Sequence, residues 1–232
     1  MTDRTEHNQK MQSIMFDCFV DAKEKIDYPP VALSFGEKLI KHPDGDNLLP
    51  IALGTYGNIS VISAPPKTKK TFFVSLLASV YLSGSNIYGG DIKGHRDQGH
   101  LIHIDSEQGK WHCQKVFSRV YDMDKNIDPH FYHTFGLRSI GYKQRIEFIE
   151  YYLSQKINTP SVLLLDGIAD LVSDVNNLEE SNLIVQKLMR WSAQYNVHIC
   201  TVIHNNYGTT KMTGHLGSFL EKKVDHILNQ LV

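Results

Sequence analysis

Residues 63–71, Ser-Ala-Pro-Pro-Lys-Thr-Lys-Lys-Thr, constrain the fold more than any other stretch of this chain. A short apolar run, 59–62, precedes them, and an apolar segment, 72–82, follows. Strand, tight loop ending in Lys-Thr, then helix is the layout of a phosphate-binding loop. Backbone N–H groups in such a loop turn inward around phosphate oxygens, and the helix behind adds the positive end of its dipole. Lys70 is placed to reach the β- and γ-phosphates of a nucleoside triphosphate, and the Thr71 hydroxyl to hold Mg²⁺. In the pattern G-x-x-x-x-G-K-[ST] both glycines are missing: Ala64 holds the first position and Lys69 the second. Lys69 must then take a backbone shape that favours glycine, with its side chain turned away from the ligand. Pro65 and Pro66 have no N–H, so the donors come mainly from Lys67, Thr68, Lys69, Lys70 and Thr71. On the loop alone, a basic turn before a core helix is the competing reading.

Three further segments bear on that choice. Leu101-Ile-His-Ile-Asp105 is an apolar run ending in a carboxylate, followed by Ser106-Glu-Gln108. Pro160 precedes Ser161-Val-Leu-Leu-Leu-Asp166, and Val197-His-Ile-Cys-Thr-Val-Ile203 ends at His204-Asn-Asn206. Short apolar runs bounded by turn signals are what strands buried on both faces look like. A carboxylate at the C-terminal end of such a strand suits a metal-ordering acid, which makes Asp166 the Mg²⁺ candidate. In an open parallel sheet, ligands bind beyond the carboxyl ends of the strands. Four runs carry their polar groups at that end, which favours the phosphate-binding loop.

The sequence resembles the RecA/DnaB-type ATPases at these points, and most closely the RepA-like branch of plasmid and mobile-element replicative helicases. The resemblance rests on 64–71, on His103-Ile-Asp-Ser-Glu-Gln108 and on Leu163-Leu-Leu-Asp-Gly-Ile-Ala-Asp170. Ser173-Asp-Val-Asn176, Val202-Ile-His-Asn-Asn206 and Gly214-His-Leu-Gly-Ser218 follow in family order. The pieces span about residues 55–230. The resemblance implies an α/β, RecA-like P-loop NTPase fold: a mainly parallel twisted sheet with helices on both faces. It also implies ATP and Mg²⁺ as ligands, single-stranded DNA as a partner and a hexameric ring of identical subunits.

Roles follow residue by residue. Glu107 fits the family's Asp-x-Glu-Gln pattern as the general base that orients and deprotonates the attacking water. A carboxylate that simply favours a helix's first turn is the alternative for Glu107, and Asp105 is the runner-up for the base. His204 resembles the polar residue that senses the γ-phosphate and relays its state to a DNA-binding loop; a hydrogen-bonded strand-end histidine is the plainer reading. The loop 205–214 is long, polar and glycine-bearing, and by family likeness lines the pore of a ring. Within it, Lys211 would contact DNA phosphate or reach a neighbouring subunit's ATP. The acidic stretch 173–180 is a second candidate pore loop, while Asp170 and Asp174 read as loop or cap residues.

Composition sets limits on these roles. The chain has 232 residues, enough for one sizeable core. Its formal net charge is −1, so nucleic-acid contact must be local or arise from assembly around a ring. Cys18, Cys113 and Cys200 have no metal-ligand spacing, and an odd count without a secretory pattern points to reduced thiols in the cytoplasm. Twelve histidines include no pair at a zinc spacing, and no apolar run reaches membrane-spanning length. Only six arginines are spread along the chain, which argues against the lid of a small-molecule kinase.

Residues 1–30 read as a helical extension, with the helix over 11–25 broken by Tyr28-Pro29-Pro30. Residues 31–232 read as the ATPase core. Within it, 31–58 read as a short strand and turn, with a loop at 43–47. Apolar spacing predicts helices over 70–83, 110–121, 142–157 and 178–195. Strands separated by helices of this length imply βαβ units. The expected activity is ATP hydrolysis coupled to single-stranded DNA in replication or transfer of a mobile element. A nucleotide-dependent loader or scaffold with little hydrolysis is the rival, favoured by the missing glycines.

Overall fold

The computed structural model describes residues 2–41, 46–87, 89–97, 99–155 and 160–229. Six parallel strands form the main sheet: β3 (Ile59–Ala64), β5 (His100–Asp105), β6 (Tyr132–Gly136), β7 (Pro160–Asp166), β8 (His198–His204) and β9 (His226–Asn229). Their order across the sheet is β6-β5-β7-β8-β3-β9. The central strands are apolar at nearly every position because both faces are covered, as parallel sheets require. Alternate side chains divide between two cores. Ile59, Val61, Ile102, Ile104, Leu163, Leu165, Ile199 and Ile203 face one of them. That core is closed by α4 (Tyr142–Ser154), α5 (Leu178–Tyr195) and α6 (Gly214–Lys223), through Ile149, Leu153, Ile184, Leu188, Trp191, Leu216 and Leu220. Ile62, Leu101, Val162, Leu164, Cys200 and Val202 face the other, under Val74, Leu77 and Val80 of α2 (Lys70–Ser83) and Val120 of α3 (Lys110–Met123). The fold is thus α/β, a parallel sheet with helices on both faces.

Local signals account for the helix ends. The Asn177 side chain caps α5 by accepting the N–H groups of Glu179 and Glu180. Gly84 ends α2 at φ 66°, where a side chain would be strained. Glu150 of α4 meets Lys187, Arg190 and the Trp191 indole of α5 at 2.7, 2.6 and 3.3 Å, which fixes the two helices against each other.

Three expectations need correction. The N-terminal helix, expected over 11–25, is α1 (Thr2–Asp17). Every described side chain from 5 to 30 is exposed, so no packing selects the apolar stretch that suggested the later register. The region 31–58 holds two long strands rather than a short one. β1 (Val31–Ile40) pairs antiparallel with β2 (Asn47–Thr55) and with β4 (Ile92–Gly94) in a separate sheet. Gly54 lets β2 lie against the buried His198 ring, since a Cβ there would collide with it. Of the loop expected at 43–47, residues 43–45 lie outside the described residues, as does Ile157 at the expected end of the 142–157 helix. The expectation also missed the strands β6 and β9 and the helix α6. Among the described residues, no helix is long and apolar enough to cross a membrane.

Candidate nucleotide site

Register brings the polar strand ends together. Ala64, the last residue of β3, pairs with His204, the last of β8. Asp105, the last of β5, pairs with Asp166, the last of β7. From Ala64 the chain turns through 65–69 into α2. Lys67 and Lys69 both take left-handed backbone, at φ 64° and 62°. For non-glycine residues this costs about 1 kcal/mol or more apiece, strain of the kind found at functional sites. Lys69 is exposed, with its side chain away from the cavity floor, and serves as the N-cap residue of α2. The Thr68 hydroxyl donates to the Pro65 carbonyl at 2.8 Å and braces the turn.

Lys70 is buried, and its ammonium donates to the carbonyls of Ala64 at 3.1 Å and Pro65 at 2.7 Å. Burial pulls its pKa down, while the charges of Asp166 and Glu107 work against that pull. Asp166 is buried, and burial, reinforced by the charge of Asp105, pushes its carboxyl up to about 6. The Thr71 hydroxyl and Lys70 act in the opposite sense. One Asp166 oxygen, Oδ2, is buried without a hydrogen-bond partner among the described residues. A lone carboxylate oxygen beside a threonine hydroxyl is a donor set suited to Mg²⁺, a hard cation that takes oxygen ligands.

Asp105 is fully buried, and both its oxygens are used. Oδ1 accepts the N–H groups of Glu107 and Gln108 at 3.0 and 2.8 Å, and Oδ2 accepts the Gln108 amide at 3.0 Å. These bonds make Asp105 the brace of the 105–108 turn, which aims Glu107 outward. Glu107 keeps 63% of its side chain exposed and lies 3.9 Å from His204 Nε2. That separation is too long for a hydrogen bond. It is still close enough that His204, with Lys70 and Arg138, holds the carboxyl below its usual range, so Glu107 is ionised at neutral pH. His204 Nδ1 is buried and unpartnered among the described residues. The His204 carbonyl accepts both the N–H and the hydroxyl of Thr213, at 3.0 and 2.8 Å, which ties the histidine to the far end of the 205–213 loop.

One cavity of about 780 Å³ gathers these groups: Lys67 to Thr71, Glu107, Asp166 and His204. It also takes in Arg119 and Gln108, which the sequence reading did not single out as site residues. Ala64, Pro65 and Pro66 form the loop's back. Lys211 is not among the lining residues; it lies exposed on the 205–213 loop, whose base is closed by an Asn205–Met212 bridge. Tyr207 at its tip is fully exposed. A larger cavity, about 1030 Å³, lies on the other flank of α3 against β6 and shares only Gln108 with the first among their described linings. Size does not decide between them. The smaller one holds the lysines, the carboxylates and the strained loop.

The chain is similar in structure to the ATPase domain of a DnaB-like helicase, with a TM-score of 0.53 and 13% identity over 75% of this chain and 69% of that one. The fold is that of a RecA-like ATPase core. No protein-family model and no curated protein matches the sequence. At such low identity the likeness speaks to the fold, and the chemistry must be argued from the side chains.

Asp166 allows one such test. Its folded pKa of about 6 stands above the ordinary 3.8, so the folded protein holds a proton that the unfolded chain has lost between those values. Ionised Asp166 therefore weakens the fold above that window, and the penalty fades as pH falls through it. Without Mg²⁺ or nucleotide, Asp166→Asn is expected to melt several degrees higher than the parent at pH 7.5. The gain has a ceiling of roughly 3 kcal/mol, at about 1.4 kcal/mol per pKa unit. It should shrink below pH 6 and vanish near pH 4. Thermal melts over that pH series decide the matter, and an equal or lower melting temperature at pH 7.5 would refute the strained-carboxylate account.

Proposed function

We propose that this chain is an ATP-binding and ATP-hydrolysing RecA-like motor, of the RepA-like branch. In this reading it acts on single-stranded DNA in replication or transfer of a mobile element. Residues 1–30 form an N-terminal extension and 31–232 the core, in a cytoplasmic protein that assembles as a hexameric ring. The observation that carries this reading is the convergence of Lys70, Asp166, Glu107 and His204 on one cavity from the ends of adjacent parallel strands. Lys70 and the loop from Lys67 to Thr71 would hold the phosphates, and Thr71 and Asp166 would hold Mg²⁺. The ion would supply charge neutralisation at the transferred phosphoryl group. Glu107, ionised and exposed toward the cavity, would take a proton from the attacking water. His204 would sense the terminal phosphate and pass its state to the loop anchored on its own carbonyl.

A second reading has a specific observation behind it. Lys70 is engaged with the Ala64 and Pro65 carbonyls, and lysines stand where glycines ease the loop. A loop so held suits a nucleotide-dependent loader or scaffold that hydrolyses slowly.

Assembly separates the two. A near-neutral subunit should bind DNA weakly alone, whereas a ring gathers several copies of the 205–213 loop around one strand. Sedimentation with ATP and Mg²⁺ is expected to show oligomers. Single-stranded DNA binding should need them, strengthen with ATP and weaken as salt rises. Lys211→Ala should reduce DNA binding or DNA-stimulated hydrolysis while leaving the melting temperature unchanged. A chain that stays monomeric and ignores DNA would leave the scaffold as the better account.

A further inference from the structure

A phosphate loop holds only one end of a nucleotide, and the cavity has a second wall away from the strand tips. Asp166, Glu107 and His204 stand at or just beyond those tips, at the end where a terminal phosphate would react. Arg119 stands elsewhere. Its Nη1 donates to the Ser75 hydroxyl at 3.3 Å, and its guanidinium carbon lies 5.4 Å from the centre of the Phe72 ring. Phe72 directly follows Thr71 and Ser75 lies one helical turn beyond it, so Arg119 flanks the first turns of α2. Val116, one turn earlier on α3, lines the same wall. Ser75 also donates to the Val116 carbonyl at 3.4 Å, which fixes this wall to α2.

The direction of a triphosphate on such a loop is set by chemistry. The lysine takes the outer phosphates, and the backbone N–H groups at the start of the helix take the inner ones. Sugar and base therefore leave past the first turn of α2, on the side walled by Phe72, Val116 and Arg119. Among the described residues Arg119 has no ion-pair partner, and Phe72 keeps half its surface exposed. A planar guanidinium against an exposed aromatic ring offers two π-compatible faces at the cavity's mouth.

We propose that Arg119 and Phe72 form the nucleobase ledge of this site, which takes a purine by stacking and does not read its edge. The inference rests on the nucleotide reading above. Stacking rewards a larger π-surface and tolerates either purine, because every base has such a face. Adenine and guanine should therefore be held about equally, and a pyrimidine less well.

The test is competition against a fluorescent ATP analogue by ATP, GTP, UTP and inorganic tripolyphosphate, the last carrying phosphates and no base. For the parent chain, ATP and GTP should bind within about threefold of each other, and roughly tenfold or more tighter than tripolyphosphate. UTP should fall between. Arg119→Ala should weaken ATP and GTP about tenfold, toward the tripolyphosphate value, and leave tripolyphosphate unchanged. Arg119→Lys keeps the charge without the plane and should not restore them. Phe72→Ala, at an exposed position with little bearing on folding, should act in the same direction.

Two results would overturn the ledge while leaving the phosphate loop standing. In one, Arg119→Ala loses ATP and tripolyphosphate alike and Arg119→Lys rescues both, which makes Arg119 a phosphate contact. In the other, the ratio of ATP to tripolyphosphate affinity is unchanged and only the melting temperature falls, which makes the pair a tie between α2 and α3. A parent chain that binds neither ATP nor tripolyphosphate would overturn the nucleotide reading and the ledge with it.

Discussion

Lys70→Ala is expected to abolish measurable ATP binding in a chain that still folds. Among the described residues, Lys70 is the one cationic side chain buried at the floor of the candidate loop, and its ammonium already bonds two loop carbonyls. A hydrogen bond to a charged group contributes about 1.5–3 kcal/mol. Losing two or more such bonds to phosphate would weaken binding by roughly two orders of magnitude or more. The fold should survive, because the carbonyls of Ala64 and Pro65 lie at the loop and water can reach them once the side chain is gone. Desolvation already weighs against the Lys70 charge, so its removal also lifts a cost. Titration of ATP into a variant whose circular dichroism and melting match the parent measures this. Unchanged affinity in that folded variant would remove the phosphate-loop assignment.

Glu107→Gln should leave ATP bound and cut turnover by roughly two to four orders of magnitude, the usual worth of a positioned base. The neighbouring carboxylates make this prediction specific. Asp105 has both oxygens committed to the turn that presents Glu107, and Asp166 lies buried under the loop. Glu107 alone of the three is exposed toward the cavity and held ionised. Asp105→Asn should act differently, by loosening the 105–108 turn and lowering stability along with rate. Full turnover in Glu107→Gln would return the base to Asp105, against its hydrogen bonding.

The parts of this molecule legible in the sequence are those whose neighbours are local or whose faces are both buried. β3, β5, β7 and β8 are continuous apolar runs because helices cover both sides, and each leads into the polar residues that now face the cavity. The spans 70–83 and 178–195 coincide with α2 and α5, whose buried stripes repeat at helical spacing. The rest depends on distant partners. β1 and β2 carry mixed polar and apolar residues, exposed over most of their length, and Pro50 in β2 disguises the strand. β6 and β9 are short edge strands whose pairing comes from residues far along the chain. α1 packs against nothing described, so its bounds left no stripe to read.

The site divides in the same way. Lys70, Thr71, Asp166, Glu107 and His204 were legible because each sits at or beside a strand end or helix start. Arg119 was not, since a lone arginine among the polar residues of α3 has no motif. One signal was available: its place three turns beyond Glu107, on the helix leaving the same turn. Asp105 was misjudged as a rival base because its hydrogen bonds to residues two and three ahead have no sequence signature.

The central claim is that this chain hydrolyses ATP at the Lys70–Glu107 site and that DNA governs the rate. Its most direct test is steady-state hydrolysis of Mg²⁺-ATP by the full chain, with and without single-stranded DNA, beside Glu107→Gln. The account predicts turnover that rises when single-stranded DNA is added and that falls to background in the variant under both conditions. ATP binding with no turnover in either condition, or turnover indifferent to both DNA and Glu107, would contradict it.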